Sequence, residues 1–238
     1  MKPTIEVHGP KISFKIPIFG GINVTETVIL QWIVMLFIMG LILYLTSGLS
    51  KKKPKKRQII AEMIVKAVNN LVVVNMGKRN IRYAPYIASL FSFILFGSLI
   101  SLTGLRSMTA DVNVTAALAF VTFVLITVHK FRANGFFGYF KSYTQPIALM
   151  TPLNIISEFA TPVSMCFRLF GNMGGGMIIS MLLIYALTIA SSAIGFTIPV
   201  LTVGIPAILS IYFDVFVSII QSFVFVMLTM IYVGSADE

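Results

Sequence analysis

Long apolar runs separated by short charged segments constrain this chain more than any other feature of its sequence. Three of them lie at 27–45, 83–102 and 112–128. As helices they are long enough to cross a hydrocarbon core of about 30 Å. Hydrophobic residues make up 57% of the 238 residues, more apolar surface than a soluble core of this size requires. The sequence therefore predicts an all-α integral membrane protein.

The stretch at 58–77 is less apolar than these runs and follows the basic segment KKKPKKR. Glu62 and Lys66 lie one helical turn apart on it, a spacing that supports an isolated helix. We expect this stretch to form an amphipathic helix on the membrane surface. The chain would then have five membrane-crossing helices and one surface helix.

The last two apolar segments, 146–190 and 206–233, are longer than upright spans need. At about 1.5 Å per residue, residues 162–190 alone would extend roughly 43 Å. We expect strong tilt and a hairpin. The resulting single membrane domain, 1–238, comprises an outer arm (1–26), a first span (27–45), a cytoplasmic segment (51–82), second and third spans (83–128) and the tilted hairpin (146–233).

Lys and Arg are distributed unequally among the connecting segments. Ten lie in 51–82 and three in 130–141, whereas the N-terminal arm has three and the loop at Arg106 has one. Because cytoplasmic loops carry the excess of basic residues, the N-terminus is expected outside and the C-terminus inside a bacterial inner membrane. The net charge of +10 flanks these spans, so it does not indicate binding to nucleic acid.

Arg168 is the basic residue that lies within an apolar segment. A central membrane arginine costs about 2.5–3.5 kcal/mol on insertion scales, and such residues are functional by default. On a helical wheel it shares a stripe roughly 80° wide with small and polar residues. We expect this stripe to face protein or water rather than lipid. Its members are Ser157, Thr161, Ser164, Arg168, Asn172 and Gly175.

A second polar stripe is predicted on the final helix, where Ser210, Asp214, Ser218 and Gln221 share one face. In the predicted topology Glu158 lies on the cytoplasmic side of Arg168, and Asp214 lies on the outer side of Gln221. Two polar paths therefore approach Arg168 from opposite faces of the membrane, and neither crosses completely. This is the arrangement of two offset half-channels separated by a fixed positive charge.

A fixed arginine can control the protonation of a carboxylic acid that moves past it. An acid buried in lipid can have a pKa near 8–9. An arginine about 4 Å away favours the ionised form of this acid by roughly 4 kcal/mol at an effective dielectric constant of 20. This lowers the pKa of the acid by about three units. The Arg168 stripe carries no second membrane carboxylate, so the moving acid must come from a partner.

Two strings of sequence, PVSMCFRLFGNMGGG at 162–176 and IIQSFVFVMLTMIYVG at 219–234, resemble the signature helices of subunit a of the F-type rotary ATP synthase. The resemblance implies a non-catalytic stator beside a rotating ring of c subunits. Arg168 would face the ring carboxylates, with Asn172 and Gln221 as its polar neighbours. Glu158 would serve the cytoplasmic half-channel and Asp214 the outer one.

The resemblance also implies partners and an ion. The partners would be the c-subunit ring, the peripheral-stalk subunit b, the other ATP synthase subunits and lipid. We expect no cofactor and no bound metal. The proton is the expected coupling ion, with Na⁺ left open because the binding carboxylate lies on the partner. Some family members carry an acid nine residues after the arginine, where this chain has Met177, so the acidic function is expected on Asp214 instead.

Two other functions are compatible with a membrane chain of this kind. A secondary transporter or channel would move its substrate without a rotor, whereas a stator would not. A purely structural anchor would leave Arg168 and the polar stripes unexplained. A soluble nucleotide-binding enzyme is excluded by composition, and the glycines after Arg168 lack the preceding strand and the following Lys-Ser/Thr of a phosphate loop.

Overall fold

The computed structural model describes residues 12–16, 22–48, 55–143, 148–193, 204, 209 and 211–235. A short antiparallel hairpin of β1 (Ile12–Ile16) and β2 (Ile22–Thr25) precedes the helices. The helices are α1 (Glu26–Thr46), α2 (Lys56–Met76), α3 (Ala84–Leu99), α4 (Val112–Tyr143), α5 (Thr151–Ala193) and α6 (Ser218–Gly234).

Shorter helical segments connect these helices. The 3₁₀ segments are Lys78–Tyr83, Ile100–Thr103, Met108–Ala110 and Ala148–Met150, and a π-helical segment, Ile211–Val217, leads directly into α6.

The prediction of an all-α integral membrane protein is confirmed. Apart from the hairpin, the described chain is helical, and six of its helical segments are long and apolar enough to cross a membrane. Large apolar side chains such as Trp32, Leu36 and Phe167 are more than half exposed. Lipid solvates such surfaces, so an apolar exterior is the expected one. Because α2 meets the same length and hydropathy requirements, five crossing helices plus one surface helix stays a prediction.

Both ends of α2 contact the same end of the helix bundle. At its start, the Arg57 guanidinium lies 4.8 Å from the centre of the Tyr44 ring, near the end of α1. At its end, α2 meets Gly234, where an added Cβ would lie 3.0 Å from the carbonyl oxygen of Asn75. A helix that lies across the ends of others makes contacts of this kind, which supports the predicted surface helix.

The core is built around α6. Phe225, Val226, Met230 and Val233 of α6 are buried against side chains from α2, α3, α4 and α5. The first helix packs separately: Leu30 and Val34 join Met108 and Val114 in a smaller apolar cluster. Close packing also determines residue choice at Gly97, where an added Cβ would collide with the Met108 side chain. The main core therefore holds α6 against four neighbouring helices, and α1 packs in a separate cluster.

The third span extends further than the sequence indicated, whereas α5 has about the length expected for the segment 146–190. The third span was expected over 112–128 with a connector after it, but the apolar helix runs over Val112–Ala133, and non-helical backbone at Gly135 (φ 69°, ψ 170°) separates it from a second helical segment that ends at Tyr143. The fifth helix has 43 residues, which corresponds to about 64 Å. Such a helix is about twice as long as the hydrocarbon core is thick, so the expectation of strong tilt stands.

Candidate functional site

Arg168 lies in the middle of α5 on a face that no other described segment covers. Its side chain is exposed, as are Ser164 and Asn172 one helical turn away on either side. Met165 and Leu169, on another face of α5, are buried in the core. Among the described residues no hydrogen bond or ion pair involves the Arg168 guanidinium. A charge in this position must be covered by another protein or by water.

The polar face of α5 touches α6 through one short hydrogen bond. Asn172 Nδ2 donates to Gln221 Oε1 at 2.6 Å. Gln221 is only 4% exposed, and Ser218 is fully buried beside it. Gln221 Nε2 and Ser218 Oγ have no hydrogen-bond partner in the described part of the chain. Unpaired buried polar groups are costly, so these two atoms mark a polar spot on α6 at the Asn172 contact.

Asp214 lies in the π-helical segment before α6 and is half-buried. Its Oδ1 accepts a hydrogen bond from Ser101 Oγ at 3.0 Å. A cavity of ≈ 410 Å³ opens beside this pair, and its polar lining includes Ser107, Asn172 and Ser180. The cavity therefore joins the Asp214 carboxylate to the polar face of α5.

A close contact positions the Asp214 segment against α5. An added Cβ at Gly176 would lie 3.0 Å from Phe213 Cδ1, tighter than side chains normally approach. Glycine allows this approach, and Phe213 precedes Asp214 directly in the chain. The remaining member of the predicted α6 stripe, Ser210, lies outside the described residues.

Glu158 lies near the start of α5 with its side chain 9% exposed. Its Oε1 accepts hydrogen bonds from Lys130 Nζ at 3.1 Å and from Tyr139 OH at 3.2 Å. Burial, with a smaller contribution from the Glu158 charge, raises the pKa of Tyr139 to about 12. The phenol therefore keeps its proton at neutral pH and remains a donor. A cavity of ≈ 60 Å³ adjoins Glu158.

The two cavities lie at opposite ends of the bundle. The Asp214 cavity adjoins the connection between α3 and α4, at Ser101 and Ser107. The Glu158 cavity is lined by Tyr232 and Ser235 at the end of α6. Glu158 and Arg168 are ten residues apart on one helix, about 15 Å. The structure thus brings Asn172 to Gln221 and keeps Glu158 apart from Asp214.

Sequence reasoning did not identify three residues of these sites. Ser101, Lys130 and Tyr139 each contact one of the two carboxylates. Ser101 is separated from Asp214 by 113 positions. No periodicity within one helix predicts a contact of that range. Lys130 was interpreted only as a topology-determining charge.

Comparison with known proteins agrees with the sequence motifs. The family model described as ATP synthase A chain matches residues 28–234. A Propionigenium modestum protein named "ATP synthase subunit a, sodium ion specific" is 36% identical, over 98% of this chain and 86% of the relative. The ATP synthase subunit a 1 of Syntrophotalea carbinolica is 37% identical, over 87% and 83% respectively. For ATP synthase subunit a of Aquifex aeolicus, the identity is 32%, over 83% and 91%. The chain therefore belongs to the ATP synthase A chain family, as subunit a of an F-type ATP synthase.

Proposed function

We propose that this chain is the stator of the membrane sector, which transfers ions to and from a rotating ring of c subunits. In this proposal Arg168 is the fixed charge opposite the ring carboxylates, and two offset half-channels connect it to the two sides of the membrane. The observation that carries this proposal is the exposure of Arg168 on a face of α5 that the described residues leave uncovered. Subunit a is a non-catalytic subunit of the complex, and its proposed role is ion translocation.

The surface around Arg168 supports a rotating partner. Phe159, Val163 and Phe167 are more than half exposed beside the Ser164–Arg168–Asn172 face. A mostly apolar surface with one charge suits an apolar helical ring whose buried acids pass one at a time. In the low dielectric of the membrane, the guanidinium would favour the ionised form of each acid and so release its ion.

The two cavities support the half-channels. The Asp214 cavity, with Ser101, Ser180 and Asn172 in its lining, would be the outer path. Glu158 and its small cavity would be the cytoplasmic path. Gln221 connects to the outer path through its hydrogen bond with Asn172, and both Gln221 and Ser218 are buried with unpaired polar atoms among the described residues. In this layout an ion passes between the paths only by riding on the rotor.

The coupling ion is proposed as a monovalent cation, H⁺ or Na⁺. The Propionigenium modestum relative is named sodium ion specific, and the other relatives reported above carry no ion in their names. ATP-driven uptake into vesicles, measured with and without Na⁺ and with a protonophore, separates the two ions. Uptake that requires Na⁺ and survives the protonophore identifies sodium. We also propose the peripheral-stalk subunit b as a partner and a bacterial inner membrane as the location of the complex.

The proposed orientation places α2 and the C-terminus in the cytoplasm. Lys55 and Leu105 are both exposed, and they lie before α2 and between α3 and α4 respectively. We expect Lys55→Cys and Leu105→Cys to react with an impermeant maleimide from opposite sides of sealed vesicles. The unsubstituted chain controls for Cys166, which is buried. Labelling of both from one side contradicts the orientation.

The half-channels predict sided access to thiols within the membrane. Ser180 lines the Asp214 cavity and Thr161 lines the Glu158 cavity. In the assembled complex, Ser180→Cys should react with a small hydrophilic thiol reagent from outside and Thr161→Cys from the cytoplasm. Ile179 and Val163 are exposed apolar neighbours, so their cysteine variants should react slowly from both sides. Equal, slow labelling of all four variants would rule out aqueous half-channels here.

A further inference from the structure

Glu158 is held through only one of its two carboxylate oxygens. Lys130 Nζ and Tyr139 OH both donate to Oε1. The second oxygen, Oε2, is buried and accepts no hydrogen bond from the described residues. The Glu158 side chain is 91% buried, since its exposed fraction is 9%. An ionised carboxylate has about four acceptor positions, so the unused oxygen keeps its full capacity for a ligand.

Lys130 and Tyr139 reach the same oxygen because α4 bends between them. In a straight helix, residues nine apart would be separated by about 13.5 Å along the axis. Gly135 has φ 69° and ψ 170°, a left-handed φ that glycine adopts without strain. After this bend the Tyr139 ring lies over the Phe131 ring, with centroids 4.1 Å apart. The bend therefore returns Tyr139 to the Lys130 end of the helix.

The cavity next to Glu158 has both oxygen-bearing and apolar side chains in its lining. Thr161, Tyr232 and Ser235 line it together with Lys130, Phe123 and Ile126. Its volume is ≈ 60 Å³. A single water needs roughly 10–15 Å³ of cavity volume, so several waters or a hydrated cation fit. Hydroxyl and carboxylate oxygens are the ligands that hydronium and hard cations prefer.

We propose that Lys130 and Tyr139 are positioning residues for ion entry from the cytoplasm. They fix Glu158 through Oε1, so that Oε2 contacts a monovalent cation, H₃O⁺ or Na⁺, in the cavity. Glu158 then acts as a stationary contact on the path, and the bend at Gly135 is what brings its two holders together. This inference rests on the proposed function, and it assigns residues of α4 to the cytoplasmic path.

The test uses the whole complex in inverted vesicles, where ATP-driven pumping takes ions up from the cytoplasmic face. The quantity measured is the ion concentration at that face which gives half the maximal rate. Partners that orient an ion ligand typically contribute about ten-fold or more in affinity. Lys130→Gln and Tyr139→Phe should therefore raise this concentration about ten-fold, and change the maximal rate less. Lys130→Arg, which keeps a charged donor, should restore most of the affinity.

A matched control is available two residues along the same helix. Arg132 is exposed and belongs to neither cavity, so Arg132→Gln removes the same charge and should leave the half-saturating concentration unchanged. Because Lys130 and Tyr139 act through Glu158, adding Lys130→Gln to Glu158→Gln should cause no further loss. Co-purification of the c subunits with each variant confirms assembly.

The outcomes separate this inference from the proposed function. If Glu158→Gln impairs pumping but Lys130→Gln and Tyr139→Phe behave like Arg132→Gln, the positioning role is wrong and the cytoplasmic path stands. If Glu158→Gln itself pumps with normal affinity, the path through Glu158 is wrong and the inference falls with it. A loss of maximal rate alone in Lys130→Gln, with unchanged half-saturation, also contradicts positioning.

Discussion

Replacing Arg168 with alanine should abolish both ATP synthesis and ATP-driven pumping by an otherwise assembled complex. The guanidinium is exposed on the uncovered face of α5, where a rotor carboxylate can approach it. At about 4 Å and an effective dielectric constant of 20, its loss removes roughly 4 kcal/mol of charge stabilisation, or about three pKa units. The arriving acid would keep its ion, and net transfer would fall by about a thousand-fold.

The same substitution should leave passive ion leak intact or increase it. A fixed charge between the half-channels repels a cation that would otherwise cross directly, and alanine removes that barrier. Arg168→Lys should also be severely impaired, because lysine lacks the planar guanidinium and its amine is easily neutralised by burial. Reconstituted vesicles allow pumping and leak to be measured separately.

Assembly should survive both Arg168 substitutions. Among the described residues, the Arg168 side chain makes no hydrogen bond or ion pair. The buried apolar side chains of α5 are Met165, Cys166, Leu169 and Met173. ATP hydrolysis by the soluble sector, after its release from the membrane, is the internal control. Near-normal pumping by a fully assembled Arg168→Ala complex would refute the central proposal.

The membrane fold followed from the sequence because apolar length and charge placement are local properties. Arg168 stood out for the same reason: a charge in an apolar segment needs a partner, and its stripe of small and polar residues predicts the face on which that partner would lie. The structure agrees in leaving Ser164, Arg168 and Asn172 exposed together. The RLFGN string added the family, which composition alone does not provide.

The predicted stripe on the final helix was only partly correct. A wheel at 100° per residue places Asp214, Ser218 and Gln221 on one face, but Ser218 and Gln221 are buried whereas Asp214 opens on a cavity. Residues 211–217 are π-helical, with more residues per turn than an α-helix. The wheel therefore loses register between Asp214 and the residues after it.

Contacts between distant segments were not predictable from one sequence. The hydrogen bond from Ser101 to Asp214 and the ion pair of Lys130 with Glu158 join residues on different helices. The bend at Gly135 depends on the non-helical φ and ψ of one residue between two helical segments. Each of these features determines which side chains contact Asp214 or Glu158, the two carboxylates that the sequence had identified. The sequence therefore located the acids, and the fold determined their partners.

Replacing Asp214 with asparagine should slow coupled transport strongly without uncoupling it. The carboxylate opens on the cavity proposed as the outer path and accepts a hydrogen bond from Ser101. Asparagine keeps the shape and the acceptor oxygen of aspartate. Its amide does not exchange protons as a carboxyl group does, and it lacks the full negative charge that attracts a cation. A positioned acid or base typically contributes 10²–10⁴-fold, so we expect a loss of about 100-fold.

Two further variants distinguish charge from geometry at Asp214. Asp214→Glu keeps the carboxylate and should retain part of the transport rate, whereas Ser101→Ala removes one hydrogen bond and should have a smaller effect than Asp214→Asn. Glu62→Gln is the control, because that carboxylate is exposed on α2 away from both cavities. Unlike Arg168→Ala, Asp214→Asn should not raise passive leak, since the fixed charge between the half-channels remains. Normal pumping by Asp214→Asn would remove this residue from the outer path and require another acid or water route to supply it.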